Sequence, residues 1–352
     1  MRVITSSFTS IFRVLLIGFM LPASMSFAGS LEVKSLQAKS LEENVIGIDP
    51  KRDIRVYLPT SYQSGQQRYP VVFYFHNMFW SNKQLFGEGN EFKSLLDFAI
   101  QKGELDEVIV VAGDFRAPNN GTFYGNSPSS GRWLDHITQE LIPYIDQQYR
   151  TLPNKRIGLG DFFGGYAALR LAMDYPGLFS AIYSMHPVGT ATGETLLHSK
   201  PDWHAMNTAT SWEELQANVF STVFMVMAQT YLPNPQKPPF YADMMVELKQ
   251  GKLVINSENV RLLRSRFLLL EQVPFKAEAL KQLKAFKMDW GRLDTNPDHV
   301  YGNRKFTQIL MDYGVDHEAE EYNGGPFDKM WGEQGRVRSE VFPFIQRVLH
   351  QQ

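Results

Sequence analysis

Short runs of apolar and β-branched residues alternate along most of this chain with stretches that carry helical spacing. The runs Ile54–Leu58, Pro70–Phe75, Val108–Ala112, Arg156–Leu159, Ala181–Met185, Ala285–Asp289 and Glu318–Tyr322 read as strands. Several are apolar at almost every position, as strands covered on both faces are. Between them, Ile137, Leu141 and Ile145 recur at i, i+4 within Leu134–Tyr149, the stripe of a helix packed on a sheet. Gly165–Tyr175 is alanine-rich and stops before Pro176-Gly177, a helix end. The alternation predicts an α/β fold with a mostly parallel central sheet flanked by helices.

Residues 187–280 break the rhythm. Pro233, Pro235, Pro238 and Pro239 share one loop, and a helical stretch, Asn259–Glu271, follows. An insertion of this size is expected either to cap the site as a lid or to be a packed excursion with no binding role.

The N-terminus adds a leader to this picture. Arg2 and Arg13 supply positive charge, Val14–Leu21 is a short apolar core, and Ser26-Phe27-Ala28 is a small-x-small cleavage site. Residues 1–28 therefore read as a secretory signal peptide, and residues 29–352 as one domain with the cap inserted. The apolar core is shorter than the roughly 20 residues a membrane-spanning helix needs. No later run reaches that length, so no transmembrane segment is expected after the leader is removed. The expected location is periplasmic or extracellular.

Charge narrows the partners only a little. The chain carries 35 basic and 37 acidic residues for a formal charge of −2, which becomes −4 without the leader's two arginines. There is no basic stripe for nucleic acid and no polybasic patch for a membrane. The absence of cysteine excludes thiol catalysis and a disulfide framework. No histidine pair has H-E-x-x-H spacing, so no metal or other cofactor is expected. Asn120-Gly121-Thr122 is a sequon, relevant only in a glycosylating host.

The candidate chemistry sits where the run Arg156–Leu159 enters Gly160-Asp161-Phe162-Phe163-Gly164-Gly165 and a helix follows at once. This is the strand–turn–helix setting of the nucleophile elbow, G-x-S-x-G, in which a tight turn flanked by glycines presents a serine. The glycines are present. The serine position holds Phe162, whose ring has no nucleophilic atom.

Several collinear segments carry a resemblance to a known family. They are Arg55-Val56-Tyr57-Leu58-Pro59, the run from Tyr69 to His76, Gly121-Thr122-Phe123-Tyr124 with Trp133 to Tyr149, and Tyr175-Pro176-Gly177-Leu178-Phe179 with Ser180–Met185. In this order they resemble the esterase family of α/β-hydrolases that includes esterase D, enterochelin esterase, feruloyl esterases and mycolyltransferases. The resemblance implies the α/β-hydrolase fold, a Ser–Asp/Glu–His triad in that chain order, and hydrolysis or transfer of carboxylic esters. Asp289-Trp290-Gly291-Arg292-Leu293-Asp294 is similar to the family's D-x-G-x-x-D, which places the acid at Asp294. Gly324-Gly325-Pro326-Phe327-Asp328-Lys329-Met330-Trp331 is similar to its G-G-H-x-W segment, with Pro326 where the histidine belongs. The family's oxyanion donors would be the backbone amides of Phe163 and Met78, with Asn77 at a position that is usually glycine.

Two triad positions are thus without their chemistry. Phe162 offers nothing to deprotonate, and Pro326 has no nitrogen able to accept a proton. Asp294 is left as an orienting carboxylate with nothing to orient. Stand-ins are few. Asp161 is ionisable, but it lies one position before the nucleophile. Ser127, Ser129 and Ser130 precede the Trp133 helix, in a cluster typical of turns. His299 and His317 are expected to be surface or supporting histidines rather than replacement bases, and His76 to bond within its own loop. Met78, Phe79, Trp80, Phe162 and Phe163 make an apolar neighbourhood that either suits the acyl or aryl group of a ligand or plugs the old pocket. The leading expectation is an exported esterase-like protein that no longer hydrolyses and acts by binding a small ester-like ligand or a protein partner. An ester hydrolase or acyltransferase with an unconventional nucleophile, and an interaction scaffold, are the alternatives.

Overall fold

A computed structural model describes residues 28–87, 91–119, 121–192, 196–328 and 330–351. All but the last residue of the expected leader, and the sequon asparagine, lie outside the described residues.

Eight strands form the central sheet: β1 (Ser30–Gln37), β2 (Lys51–Leu58), β3 (Tyr69–Phe75), β4 (Ile109–Gly113), β5 (Thr151–Asp161), β6 (Ala181–Met185), β7 (Ala285–Gly291) and β8 (Glu318–Tyr322). Their order is β1-β2-β4-β3-β5-β6-β7-β8. The contacts of β1 with β2 and of β2 with β4 are antiparallel, and the rest are parallel. All seven expected strands are present. The addition is β1, whose polar, exposed pattern SLEVKSLQ carries no buried-strand signal because it lies at the sheet edge.

Alternation along β3 sends Val71, Phe73 and Phe75 to one face and Val72 and Tyr74 to the other. The first face is covered by the helical stretch Trp133–Gln148, the helix Phe163–Asp174, and later the helices Leu269–Leu280 and Pro297–Asp312. The second is covered by Glu91–Gln101 and Phe342–His350. Ile137, Leu141 and Ile145 are buried as their spacing predicts, although a π-turn over His136–Leu141 interrupts the helix.

The chain leaves the sheet after β6 and crosses its carboxyl end. It forms the helices Trp203–Thr208 and Val219–Tyr231, a two-stranded hairpin (Val246–Lys249 with Lys252–Ile255), and the helix Ser257–Phe267. Met206, Leu215, Met225, Phe240 and Met244 give this region a small core of its own. The expected helix Asn259–Glu271 is in fact two. Backbone donation from Leu269 to the Gly189 carbonyl and from Leu270 to the Thr190 carbonyl diverts the chain at Leu268. The second helix, Leu269–Leu280, packs on the body against Phe163–Asp174. The region over the sheet therefore ends near residue 268 rather than 280. Among the described residues no helix is long and apolar enough to cross a membrane.

Candidate functional site

Parallel register brings the site together. Phe75 pairs with Gly160, Asp161 with Met185, and Met185 with Asp289, so β3, β5, β6 and β7 end side by side. The residues just beyond them, at the carboxyl ends of parallel strands, face the place where ligands bind in open α/β sheets.

Phe162 occupies the tip after β5 with φ +56° and ψ −111°, a conformation that is uncommon for a bulky residue and costs on the order of 1–3 kcal/mol. Its amide donates to the Met185 carbonyl at 2.9 Å, and its carbonyl accepts from the Tyr166 amide at 3.1 Å. The turn also needs its glycines. A Cβ on Gly164 would sit 1.8 Å from the Phe75 carbonyl oxygen, and one on Gly160 would sit 2.1 Å from the Gly164 oxygen. The elbow geometry is therefore kept without its serine.

The Phe162 ring is buried among other rings. It lies 5.4 Å from Phe163, 5.6 Å from Phe327 and 6.4 Å from Phe79, centroid to centroid. It stacks at 5.8 Å on His186 and meets His299 edge-on at 5.1 Å. Next to Pro326, the residue expected at the histidine position, Phe327 packs between Phe162 and Trp80.

Asp294 does have partners to orient, contrary to the expectation from sequence. Its Oδ2 accepts from His186 Nε2 at 2.9 Å and from His299 Nδ1 at 2.8 Å, and its Oδ1 accepts from the Asn296 amide at 2.8 Å. Burial opposes ionisation, but these hydrogen bonds outweigh it and hold the carboxyl well below the usual carboxylate range. Burial pulls the His186 imidazole down, against the attraction of Asp294, and favours its neutral form. His186 is the residue that sequence reasoning missed. It directly follows the expected strand Ala181–Met185, but a lone histidine there carries no motif.

The far nitrogens settle the tautomers. The Gly291 amide donates to His186 Nδ1 at 3.0 Å, so that ring carries its proton on Nε2, facing Asp294. Asn296 Nδ2 donates to His299 Nε2 at 3.0 Å while Asn296 Oδ1 accepts from the Asp298 amide, so the proton of His299 is on Nδ1. One ligand atom from each of His186, Asp294 and His299 falls within 4.8 Å of the others, close enough to suggest a metal site. The chemistry does not fit. The nitrogens turned toward the carboxylate are the protonated ones, whereas a metal-bound histidine carries its proton on the nitrogen turned away.

Asp161 lies under the turn, fully buried, and not beside the Phe162 ring. It accepts from Tyr74 Oη and from Asn77 Nδ2, the latter at 2.7 Å. Burial pushes its carboxyl up to about 6, against the pull of these two donors. Asn77 completes the brace by accepting from the Phe79 amide at 2.8 Å. Asn77 and Asp161 thus shape the loop after β3. Neither the Met78 nor the Phe163 amide meets an acceptor among the described residues, so both oxyanion donors of the resemblance keep free N–H groups.

The other stand-ins have structural duties. Ser127 Oγ donates to the Gln229 carbonyl and Ser129 Oγ to the Tyr241 carbonyl, and Ser130 faces Thr230. His317 bonds Thr307 and the Val315 carbonyl. His76 donates to the Asn77 carbonyl and accepts from the Phe115 amide, which keeps it within its own loop and the next.

A cavity of about 570 Å³ opens beside the elbow, between body and cap. Phe79, Phe162 and Phe163 line it from the body, Val223, Phe224 and Met227 from the cap helix Val219–Tyr231, and Leu263 and Phe267 from the helix after the hairpin. Its polar end is made by Asp294, Asn296 and His299. Of the other residues expected to border a pocket, Asn77, Met78, Trp80 and Asp161 do not line it. Asp161 and Asn77 bond to each other under the turn, Met78 is buried in the core, and Trp80 packs on Phe327.

An eight-stranded sheet of this order with an elbow after β5, a carboxylate after β7 and a cap after β6 defines an α/β-hydrolase of the esterase type. A family model described as "Putative esterase" matches residues 47–228, more than half of the chain, and the chain belongs to that family. Among solved structures it is similar to a ferulic acid esterase, with TM-score 0.63 and 18% identity over 92% of this chain and 98% of that one. It is also similar to an S-formylglutathione hydrolase from Agrobacterium tumefaciens, with TM-score 0.56 and 16% identity over 92% and 97%. Identities this low speak for the fold alone. Among curated proteins, Endo-1,4-beta-xylanase Y of Acetivibrio thermocellus is 26% identical over 32% of this chain, and Uncharacterized protein YjcH of Bacillus subtilis is 26% identical over 45% of it. The chain spans 10% of the length of the first and 62% of the second.

Proposed function

We propose that this chain is a non-hydrolytic member of its family, exported by its leader, that binds an apolar acyl or aryl ester-like ligand in the cavity beneath the cap. The observation that carries this reading is the Phe162 ring, which stands at the elbow tip among five other rings and forms a wall of the cavity. Loss of the serine or the histidine alone removes about 10⁶ of turnover from a working triad, and here both positions lack the reacting atom. The free amide of Phe163, a residue that lines the cavity, supports a ligand with a carbonyl or carboxylate oxygen, because a buried donor without an acceptor is unfavourable by about 1–3 kcal/mol.

The test combines chemistry and binding. A fluorophosphonate probe should leave the protein unlabelled, and p-nitrophenyl acetate should give no burst. Phe162→Ser alone should stay silent, since every ring nitrogen of His186 and His299 is already engaged. Adding Pro326→His should give turnover above either single variant. cis-Parinarate, a fluorescent fatty acid, or methyl ferulate should raise the melting temperature, as ligands of the native state do. Labelling of the unaltered chain would overturn the reading on the side of catalysis, and indifference to both ligands would overturn it on the side of binding.

A further inference from the structure

The hairpin at the cavity edge is built unlike the rest of the surface. Val246–Lys249 and Lys252–Ile255 pair antiparallel, with Val246 opposite Ile255 and Lys249 opposite Lys252. Gln250 and Gly251 make the turn, both with positive φ, as a two-residue hairpin turn requires. All four residues of the second strand are exposed, including three consecutive aliphatic ones, Leu253, Val254 and Ile255. Strand alternation should hide at least one face of such a run. Here neither face is covered.

The exposed row runs into the cavity. Ile255 is 66% exposed and also lines the cavity together with Val246, so it stands on the cavity rim. A second hollow of about 350 Å³ continues from there past Val260 and Arg264. The charge around it is weakly basic. The excess is small, in keeping with a sequence that has no polybasic patch: from Val246 to Glu271 there are five basic residues and three acidic ones, with Arg261 paired to Glu258 and Arg264 to Glu271. Lys249 pairs with Glu247, but no acidic side chain among the described residues pairs with Lys252.

Aliphatic side chains along the outer strand, with lysines at the turn, match the two layers of a lipid surface. The aliphatic groups enter the acyl boundary, and the lysine stems run alongside while their ammonium groups reach anionic headgroups. We propose that the hairpin Val246–Ile255 docks the protein on the surface of an anionic phospholipid bilayer, with Leu253, Val254 and Ile255 in the interface and Lys249 and Lys252 at the headgroups, so that the cavity rim faces the lipid. This rests on the reading of the cavity as an apolar ligand site, and it names the phase from which such a ligand arrives. Pairing of the hairpin edge with a peptide strand or a second copy is the competing use of the same row.

The test uses the full chain and vesicles of phosphatidylcholine with and without phosphatidylglycerol. Co-sedimentation should occur with the anionic vesicles and fall with added salt. Leu253→Asp with Val254→Asp should weaken it by about tenfold or more, and Lys252→Glu should weaken it on anionic vesicles only. Neither Leu253 nor Val254 lines the cavity, so cis-parinarate binding in vesicle-free solution should be unchanged in the double variant, as should its melting temperature. Equal sedimentation of the wild-type and double-variant proteins would overturn the proposal. So would a dimer abolished by the same substitutions in a protein that ignores vesicles. Loss of cis-parinarate binding by the unaltered chain with vesicle binding intact would instead overturn the cavity reading.

Discussion

His186, Asp294 and His299 show how one buried carboxylate is satisfied by two imidazoles. Two imidazole N–H groups share one carboxylate oxygen, and a backbone amide takes the other. The acid was legible in the sequence because it sits in a patterned segment. Its partners were not, because a hydrogen bond between residues 186 and 294 depends on strand register and leaves no local mark. The same burial has a consequence for acid stability. His76 is pulled down to about 4 by burial, and His186 is lowered as well. The unfolded chain takes up protons near 6.5 that the folded chain refuses, so both contributions are full above that pH and are lost as it falls. Asp161, raised to about 6, works in the opposite direction: its penalty is present at neutral pH and relieved as the carboxyl protonates. Two histidines against one carboxylate predict a melting temperature that falls between pH 6.5 and 5. The slope should be shallower in His76→Gln, by up to about 1.4 kcal/mol per pH unit. A flat profile in the unaltered protein would contradict the neutral burial of these rings.

At the scale of elements, what the sequence revealed follows from what each element buries. The strands β2 to β7 were readable because their runs face helices on one or both sides, and Leu134–Tyr149 because its stripe meets the sheet; β8, at the far edge, buries only Tyr322. The edge strand β1 and the cap hairpin face water and carry no such pattern. The split at Leu268 was hidden for another reason: it is imposed by the Gly189 and Thr190 carbonyls, far away in sequence. The serines before Trp133 belong to this scale too. Ser127 and Ser129 anchor the cap to the body by donating to the carbonyls of Gln229 and Tyr241 at 2.6 and 2.7 Å. Removing both hydroxyls leaves two carbonyls without these donors, each loss being about 1 kcal/mol. Ser127→Ala with Ser129→Ala should therefore speed amide exchange in Val219–Tyr231 and leave β3 and β5 unchanged. Equal protection in the cap would assign its hold to packing alone, through Tyr166, Tyr231 and Phe267.

For the whole molecule, a body of family architecture carries a cap with a small core of its own, and the cavity lies where the two meet. That division separates the parts a site needs in order to hold a ligand from those it needs in order to transform one. The glycines of the elbow belong to the first group. Gly160 and Gly164 allow the strand, the turn and the helix to approach more closely than any side chain permits. Their retention reports on backbone contact and is blind to the residue between them. A search keyed to those glycines will therefore file this chain among serine hydrolases with full confidence in its shape and no information about its reaction. The identity of position 162, where this chain carries phenylalanine, has to be read separately.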